Sequence, residues 1–286
     1  MNSNPHPNRD VASAVLPVQG AHIPALGFGT YGMNGPHLRN VLVAALGHGF
    51  RHIDTAQMYG NEAEVGAAIR DAGVSRSEIF ITTKVWVANY GAAQFAPSVD
   101  QSLRKLKTDY IDLLLVHWPR GGAPIAAQIE GLNRAVEQGK ARHIGVSNYN
   151  AEMLRTAVKM SPRHLVTNQV EYHPFLDQTA LLRQIAASDA SLMAYCGMAV
   201  GRVFGSEILR DIAAKHERSV AQVVLRWLIQ QPRVVALSRT EKIERIAGNA
   251  AVFDFALSEA EMAAITALRA PDSRIVDPGH LAPAWD

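Results

Sequence analysis

Cysteine and long apolar runs are nearly absent from this sequence. Cys196 is the only cysteine among 286 residues, so no disulfide can form within the chain. This composition fits a reducing compartment. No apolar run approaches the roughly 18 residues that a membrane-spanning helix needs. We therefore expect a cytoplasmic protein that does not interact with a membrane.

The sequence also lacks clusters of charge of one sign. The formal net charge is only +2, and the lysines and arginines are scattered along the chain. This pattern excludes a general nucleic-acid surface, so any anion site must be local. With 48% hydrophobic and 19% charged residues, the chain can bury a large core. Nothing in the composition requires an oligomer, and we expect a monomer.

The length of the chain allows either two small domains or one barrel. Its first residues, Met1 to Asp10, are polar, contain two prolines and lack an apolar core, which argues against a signal peptide. We expect residues 1–13 to form a flexible tail and residues 14–286 to form a single domain.

Short β-type runs alternate with amphipathic helical stretches from about residue 24 to about residue 250. This alternation is typical of the α/β class, in which helices connect parallel strands. We expect eight strands, at residues 25–29, 50–54, 79–84, 111–117, 143–147, 165–170, 191–195 and 234–237. Helical patterns include residues 38–47, 62–71, 125–138, 180–187, 207–215 and 220–230. Ser219 is predicted to cap the last of these helices.

Polar residues lie where several of these strands end. Asp54, Lys84, His117 and Ser147 follow one another at intervals of about 30 residues, the length of one strand and its helix. The carboxyl ends of barrel strands converge on one mouth, which is where active sites of this architecture lie. The spacing therefore predicts a (β/α)8 TIM barrel with its site at that mouth.

Two further elements flank the expected barrel. Residues 14–23 place Gly20 between two β-type runs, which predicts an N-terminal β-hairpin that could plug the end opposite the mouth. Residues 258–268 predict an extra C-terminal helix, followed by a proline-containing tail.

A glycine motif offers a different interpretation. The run from Gly27 to Gly32 matches G-x-G-x-x-G, and Asp54 follows about 20 residues later, as in a dinucleotide-binding Rossmann fold. In that fold the third glycine lies in a helix, but here Asn34-Gly35-Pro36 interrupts the chain. We interpret the glycines as a strand-end turn that lets a ligand approach the backbone.

His52 and Asp54 raise a second alternative, a metal-dependent barrel hydrolase. Residues two apart on a strand share a face and could bind one metal ion. The later strand ends carry Lys84, Ser147 and Gln169 rather than further histidines or acidic clusters. An ammonium group beside the site argues against a metal, and we expect none.

Residues 49–62, with the sequence GFRHIDTAQMYGNE, closely resemble the signature of the aldo-keto reductases. Five more matches follow in order: TKVW at 83–86, LVHWP at 115–119, IGVSN at 144–148, NQVE at 168–171 and a run from Arg239 to Asn249. Six ordered matches are far more specific than any one of them. The resemblance spans nearly the whole chain and implies an enzyme that reduces carbonyl compounds with NADPH.

The resemblance implies a catalytic tetrad of Asp54, Tyr59, Lys84 and His117. Tyr59 would donate a proton to the carbonyl oxygen. A tyrosine pKa is ordinarily roughly 10, and we expect the Lys84 ammonium, held by Asp54, to lower it. His117 would orient the carbonyl as a neutral imidazole. Taken singly, these residues could instead form a structural ion pair, a packing tyrosine and a core histidine.

The resemblance also implies a binding site for NADPH/NADP+. Ser147, Asn148 and Gln169 match residues that hold the nicotinamide carboxamide, and Tyr195 matches the aromatic side chain under the ring. Arg239, Thr240 and Arg245 match the group that binds the adenosine 2′-phosphate, and Asn249 is a further residue expected to bind the cofactor. A guanidinium can bind a phosphate with two hydrogen bonds, which favours NADPH over NADH.

Three positions depart from the family pattern. Ser238 replaces a usual proline, and Gly248 replaces an acidic residue that contacts the adenine. Cys196-Gly197-Met198 replaces the commoner Ser-Pro-Leu. We therefore expect weaker binding of the adenine and a weaker preference for NADPH than the family pattern implies.

Four aromatic residues are expected around the substrate: Tyr31, Trp86, Trp118 and Trp285. The connections at 119–125 and 199–206 are short, and loops at the mouth of a barrel define its substrate scope. We expect an open site for small polar dicarbonyls or sugar-derived ketones, of the methylglyoxal or 2,5-diketo-D-gluconate type. The main alternative is a barrel that binds NADPH but serves as a regulatory or interaction subunit without turnover.

Overall fold

Eight parallel strands close into a barrel in the computed structural model of this chain, which describes residues 10–286. The barrel strands, in chain order, are β3 (Leu26–Gly29), β4 (His52–Asp54), β5 (Phe80–Val85), β6 (Ile111–Val116), β7 (Ala141–Ser147), β8 (Leu165–Glu171), β9 (Ser191–Tyr195) and β10 (Val234–Ser238). Each strand pairs with the next one along the chain, and β10 pairs with β3 to close the barrel. Two shorter strands, β1 (Val15–Val18) and β2 (Ala21–Pro24), form an antiparallel hairpin before it.

Helices follow the barrel strands and pack around them. They are α1 (Gly35–Gly47), α2 (Glu62–Asp71), α3 (Ala92–Leu106), α4 (Ile125–Glu137), α5 (Ala151–Met160), α6 (Thr179–Ala187), α7 (Glu207–Lys215), α8 (Val220–Gln230), α9 (Ile246–Ala250) and α10 (Glu259–Thr266). Within residues 10–286, no helix is both long and apolar enough to cross a membrane.

The expected (β/α)8 barrel, N-terminal hairpin and C-terminal helix are confirmed. All eight barrel strands lie where the sequence predicts them, and α2, α7 and α8 have the predicted bounds. Helix α3 was not among the named helical patterns. Pro97 lies inside its N-terminal half, where it removes one backbone donor, and so it obscures the helical pattern in the sequence.

The hairpin closes the amino end of the barrel. Val18, Ala21 and Ile23 are buried and join the apolar cluster that fills the barrel interior, which includes Phe80 at the start of β5. This packing removes the hairpin's apolar face from water and seals the end opposite the site. The hairpin leaves the opposite end of the barrel, formed by the carboxyl ends of the strands, uncovered.

The segment that precedes the hairpin is described from residue 10. Residues 10–13 form a turn in which the Ser13 backbone donates to the Asp10 side chain at 2.9 Å. Val11 is buried, and a Cβ on Gly49 would come within 2.9 Å of it. The rest of the tail expected at residues 1–13 lies outside the described residues.

The glycine motif belongs to the barrel and not to a Rossmann fold. Gly27 and Gly29 lie within β3, and Gly32 lies in the following turn with φ +74°, before α1 begins at Gly35. A Cβ on Gly27 would come within 2.6 Å of the His52 ring. Close packing between strands therefore requires glycine at position 27, and a left-handed turn favours it at position 32.

Ser219 begins α8 with a capping box, as the sequence predicts for its N-cap. Its hydroxyl accepts a hydrogen bond from the Gln222 backbone at 3.3 Å, and the Gln222 side chain accepts one from the Ser219 backbone at 2.9 Å. Removing an N-cap hydroxyl leaves a helix-end donor without its partner. We expect Ser219→Ala to lower the free energy of unfolding by about 1 kcal/mol, measured by urea denaturation.

Ser77→Ala is a matched control, since the exposed Ser77 hydroxyl contacts only that of Ser75. It should change the free energy of unfolding by at most about 0.5 kcal/mol. Equal losses in the two variants would contradict the capping role.

Candidate active site

A buried ion pair lies at the carboxyl ends of two neighbouring strands. Lys84 on β5 donates from Nζ to Asp54 Oδ1 on β4 at 2.7 Å, and the two side chains are 0% and 3% exposed. Lys84 Nζ also donates to the Thr55 carbonyl at 2.8 Å and to Tyr59 Oη at 3.4 Å. The ammonium therefore has three oxygen acceptors, one of which is the predicted proton donor.

Burial opposes both charges of this pair, and the partners counteract it. Burial raises the pKa of Asp54, while Lys84 and a hydrogen bond from Gln169 oppose that rise. Burial lowers the pKa of Lys84, while the Asp54 carboxylate opposes that fall. Each charge is stable in the protein because the other is present.

Tyr59 ends a short 3₁₀ turn, Gln57–Tyr59, in the loop after β4. The Tyr59 ring makes edge contacts with Tyr31 at 5.1 Å and with His117 at 5.7 Å between ring centroids. The His117 ring in turn lies 5.3 Å from the Trp86 ring. The segments that follow four strands, β3 to β6, thus bring four rings into one row beside the ion pair.

One expectation about Tyr59 is wrong. Lys84 was expected to lower its pKa, but the pKa lies well above its ordinary value because burial disfavours the phenolate and the Asp54 carboxylate repels it. The Lys84 charge is largely balanced by Asp54, which is closer to it than Tyr59 is. Tyr59 therefore holds its proton in this state of the protein.

His117 follows β6 directly and is buried among apolar rings. Burial lowers its pKa well below the ordinary 6.5, and the Lys84 charge adds to the effect. Its Nδ1 atom is buried and has no hydrogen-bond partner. The imidazole is therefore neutral near pH 7, as the sequence analysis expects.

The four residues predicted to hold a nicotinamide lie in one hydrogen-bonded network. Tyr195 Oη donates to Asn148 Oδ1 at 2.8 Å, and Asn148 Nδ2 donates to Ser147 Oγ at 3.2 Å. Ser147 Oγ donates to the Gln169 carbonyl at 2.8 Å, and Gln169 Nε2 donates to Asp54 Oδ2 at 2.7 Å. This network connects the predicted cofactor residues directly to the ion pair.

These side chains fit a nicotinamide cofactor in their chemistry. The Asn148 and Gln169 amides and the Ser147 hydroxyl supply donors and acceptors of the kind that a carboxamide needs. Tyr195, half-buried at the end of β9, offers an aromatic face. Their roles in binding stay predictions.

The predicted phosphate residues lie after β10. Arg239 is exposed, donates from Nε to the Tyr31 carbonyl at 2.6 Å and pairs with Glu241 at 2.5 Å. Thr240 is buried and Arg245 is exposed. Asn249 Nδ2 donates to Ser238 Oγ at 3.0 Å, so Ser238 anchors a predicted cofactor residue. A Cβ on Gly248 would meet no atom within 4 Å, which leaves open space there.

The four predicted pocket aromatics differ in their positions. Tyr31 is 59% exposed, and Trp86 and Trp285 are half-buried. Trp118 is only 5% exposed, and its backbone exchanges hydrogen bonds with the Tyr90 hydroxyl. Trp285 donates to Asp277 at 2.9 Å within the C-terminal segment. Tyr31 and Trp86 belong to the row of rings beside the ion pair. That Trp118 and Trp285 contact the substrate stays a prediction.

The partners of His52 and Asp54 bear on the metal-site alternative. His52 Nε2 lies 2.9 Å from Thr82 Oγ1, while Asp54 binds Lys84 and Gln169. Burial and the Lys84 charge lower the pKa of His52 to about 3. Among residues 10–286, no three histidine, cysteine or acidic side chains group as metal ligands.

Two amides that position the site, buried Asn61 and half-buried Gln57, were not among the predicted site residues. Asn61 accepts from Thr55 at 2.7 Å and donates to the Thr30 and Met33 carbonyls at 3.0 and 2.9 Å. Gln57 accepts from the Trp86 backbone at 2.9 Å. Both belong to the 49–62 signature, and polar side chains beside a strand end were the signal that could have identified them.

The closed barrel and the polar centre at the carboxyl ends of its strands define a (β/α)8-barrel enzyme. Residues 25–270 match the sequence pattern described as the aldo/keto reductase family. The chain therefore belongs to the aldo/keto reductase family and is an oxidoreductase.

Several known proteins are similar over most of the chain. Methylglyoxal reductase DkgB from Salmonella typhi is 38% identical over 267 residues, 92% of this chain and 99% of that protein. Glyoxal reductase from Bacillus subtilis is 38% identical over 257 residues, 90% of this chain and 92% of that protein. A crystal structure of a provisionally named 2,5-diketo-D-gluconic acid reductase B is 50% identical, with a TM-score of 0.94, and covers 96% of this chain and 97% of that one.

Within the family, the sequence pattern, including the ending LAPAWD at residues 281–286, is similar to bacterial 2,5-diketo-D-gluconate reductase B. The 50% identical structure confirms this similarity. Together these relatives support carbonyl reduction as the chemistry of the chain.

The buried pair predicts a strong coupling between two substitutions. Asp54→Asn and Lys84→Met should each lower the free energy of unfolding by roughly 3–5 kcal/mol, because each leaves a buried charge without its partner. The double variant should lose less than the sum of the two losses. Urea denaturation of all four proteins measures this coupling.

The exposed pair of Arg39 and Asp71 is the control, with side chains 51% and 33% exposed. The same cycle there should give a coupling of at most about 1 kcal/mol. Additive losses at Asp54 and Lys84 would show that the two charges do not depend on each other.

Proposed function

We propose that this chain reduces small aldehydes and ketones with NADPH, and that Tyr59 is the general acid. The observation that carries the proposal is the contact of Lys84 Nζ with both Asp54 and Tyr59 Oη. A carbonyl that accepts a hydride develops negative charge on its oxygen, which needs a proton within hydrogen-bond reach. Tyr59 keeps its proton until that charge develops, since its pKa is high in the protein alone.

Lys84 has a second part in this proposal. When Tyr59 gives its proton to the carbonyl oxygen, a phenolate remains, and the ammonium 3.4 Å away stabilises that charge. Asp54 keeps the ammonium in position and supplies the counter-charge that makes its burial possible. The pair is fixed before substrate arrives, so no reorganisation is needed during the reaction.

His117 would orient the carbonyl. Its low pKa keeps the ring neutral, so it can donate one hydrogen bond to the carbonyl oxygen without acting as a second acid. The edge contacts with Tyr59 and Trp86 hold the ring in place.

In this proposal the cofactor supplies the hydride, which no side chain can provide. Ser147, Asn148 and Gln169 would bind the carboxamide, and Tyr195 would stack on the nicotinamide ring. The 2′-phosphate and the adenine would lie against the residues after β10, which are Arg239, Thr240, Arg245 and Asn249.

The proposed substrates are small polar dicarbonyls or sugar-derived ketones. Relatives named methylglyoxal reductase, glyoxal reductase and 2,5-diketo-D-gluconic acid reductase support this class. The exposed Tyr31 and half-buried Trp86 offer apolar walls beside the tetrad, and short loops leave it accessible. Turnover of bulky steroids without activity on small dicarbonyls would contradict this assignment.

The decisive assay mixes the pure protein with NADPH and a panel of carbonyls that includes methylglyoxal, and follows NADPH absorbance. Tyr59→Phe should lower kcat by roughly 10²–10⁴-fold, because the proton donor is lost. NADPH binding, measured by fluorescence, should stay close to that of the parent protein. Tyr110→Phe is the control, since the Tyr110 ring packs between Arg76 and Arg142 before β6 begins.

An undiminished rate in Tyr59→Phe would refute the proposed acid. If the parent protein binds NADPH but reduces none of the carbonyls in the panel, the regulatory or interaction role is indicated instead.

Arg239 tests the preference between cofactors. Arg239→Gln should lower the ratio of kcat/KM with NADPH to that with NADH by roughly tenfold or more, because a charge-assisted hydrogen bond to phosphate is lost. Parallel assays with the two cofactors measure the ratio. Arg134→Gln, which changes an exposed arginine paired with Glu130 on α4, should leave it unaltered. An unchanged ratio in Arg239→Gln would remove Arg239 from the phosphate site.

A further inference from the structure

Arg274 has a hydrogen-bond donor that the protein does not use. The side chain is half-buried, and its Nη1 atom is buried without a hydrogen-bond partner. Its guanidinium carbon lies 3.6 Å from the centroid of the Trp285 ring, so one face of the cation is covered. Buried polar groups without partners are rare in native proteins, and each calls for an explanation.

Hydrogen bonds of the C-terminal segment place Arg274 at the mouth of the barrel. The next two residues, Ile275 and Val276, donate from their backbones to the Glu171 carboxylate at 2.8 Å, and Glu171 ends β8. Beside Trp285, the Ala284 carbonyl accepts from the side chain of Asn150, in the loop after β7, at 2.7 Å. Arg274 and Trp285 therefore lie beside the loop that carries Ser147 and Asn148.

The nearby carboxylates do not neutralise Arg274 by direct pairing. Glu171 uses Oε1 for His173 and Ile275 and Oε2 for Val276. Asp277 accepts from Trp285, and Asp286 accepts from the Ala151 backbone at 2.8 Å. Among residues 10–286, no carboxylate oxygen lies within 4.0 Å of the Arg274 nitrogens.

Electrostatic effects agree with this location. Burial lowers the pKa of Arg274, and the charges of Glu171, Tyr195, Asp277 and Asp286 act against that shift. Tyr195 is the side chain proposed to stack on the nicotinamide. The guanidinium thus lies within electrostatic range of the proposed cofactor site.

We propose that Arg274 binds an oxyanion of the ligand at the mouth of the barrel. This inference rests on the proposed function. A guanidinium with one face on an aromatic ring and a free N–H edge suits a carboxylate or phosphate oxygen. The oxyanion has two possible sources, a carboxylate on the carbonyl substrate or a phosphate of NADPH, and both supply the acceptor that Nη1 lacks.

The experiment compares the parent protein with Arg274→Gln on two carbonyls and on the cofactor alone. The carbonyls are 2,5-diketo-D-gluconate, which carries a carboxylate, and methylglyoxal, which does not. Dissociation constants of NADPH come from fluorescence titration without substrate. Arg269→Gln is the matched control, because Arg269 lies on the same segment and is bound to Asp177 and Thr179.

If the oxyanion is a substrate carboxylate, Arg274→Gln should lower kcat/KM for 2,5-diketo-D-gluconate at least tenfold by raising KM. The same variant should change kcat/KM for methylglyoxal less than twofold. If the oxyanion is a cofactor phosphate, Arg274→Gln should instead raise the dissociation constant of NADPH at least tenfold. Either result supports the oxyanion site. Equal changes on both carbonyls with unchanged NADPH affinity, or no change at all, would overturn it.

Arg274→Lys keeps the inference testable if the glutamine variant does not fold. Lysine keeps the positive charge but not the planar pair of nitrogens, so the same selective loss should appear in weaker form. If Arg274→Gln does not fold, parent-like behaviour of Arg274→Lys in every assay would overturn the proposal. A parent protein that reduces neither carbonyl would refute the proposed function, which is a separate result.

Discussion

The buried pair of Asp54 and Lys84 is the interaction on which the rest of the site depends. Neither charge could remain in the barrel without the other, since burial alone disfavours both. Asp54 uses its second oxygen to accept from Gln169 on β8, on the opposite side of the barrel. One carboxylate therefore connects the lysine beside Tyr59 with the residues proposed to hold the nicotinamide.

Barrel strands carry the two charged residues, whereas the loops after the strands carry the rings, and two amide side chains join these loops. Asn61 ties the loop that carries Tyr59 to the loop that carries Tyr31. Gln57 ties it to the backbone of Trp86. Because these amides are satisfied within the protein, the rings are positioned before a ligand binds. Tyr59 consequently keeps a fixed distance to Lys84 in a site that needs little rearrangement.

Glu171 anchors the C-terminal segment to the barrel by accepting hydrogen bonds from its backbone. Burial alone would raise its pKa, but hydrogen bonds from His173, Val276 and Ile275 hold the pKa below its ordinary value. The carboxylate thereby fixes the segment at the end of β8, close to Tyr195. Both oxygens of Glu171 thus bind other donors, and Arg274 Nη1 has no hydrogen-bond partner.

The sequence by itself determined the strands, their spacing and hence the residues that share the mouth, because these follow from local periodicity and from the length of one strand and helix. Through the family resemblance of six ordered motifs, it also predicted the tetrad as a set. Tertiary structure alone decided the direction of the Tyr59 pKa shift, since burial and the Asp54 charge outweigh Lys84 only in three dimensions. It likewise decided the surroundings of Arg274, because Glu171, which anchors the two residues after Arg274, lies about 100 positions earlier in the chain. Contacts between distant segments fix electrostatics and hydrogen-bond partners, and no local pattern records them.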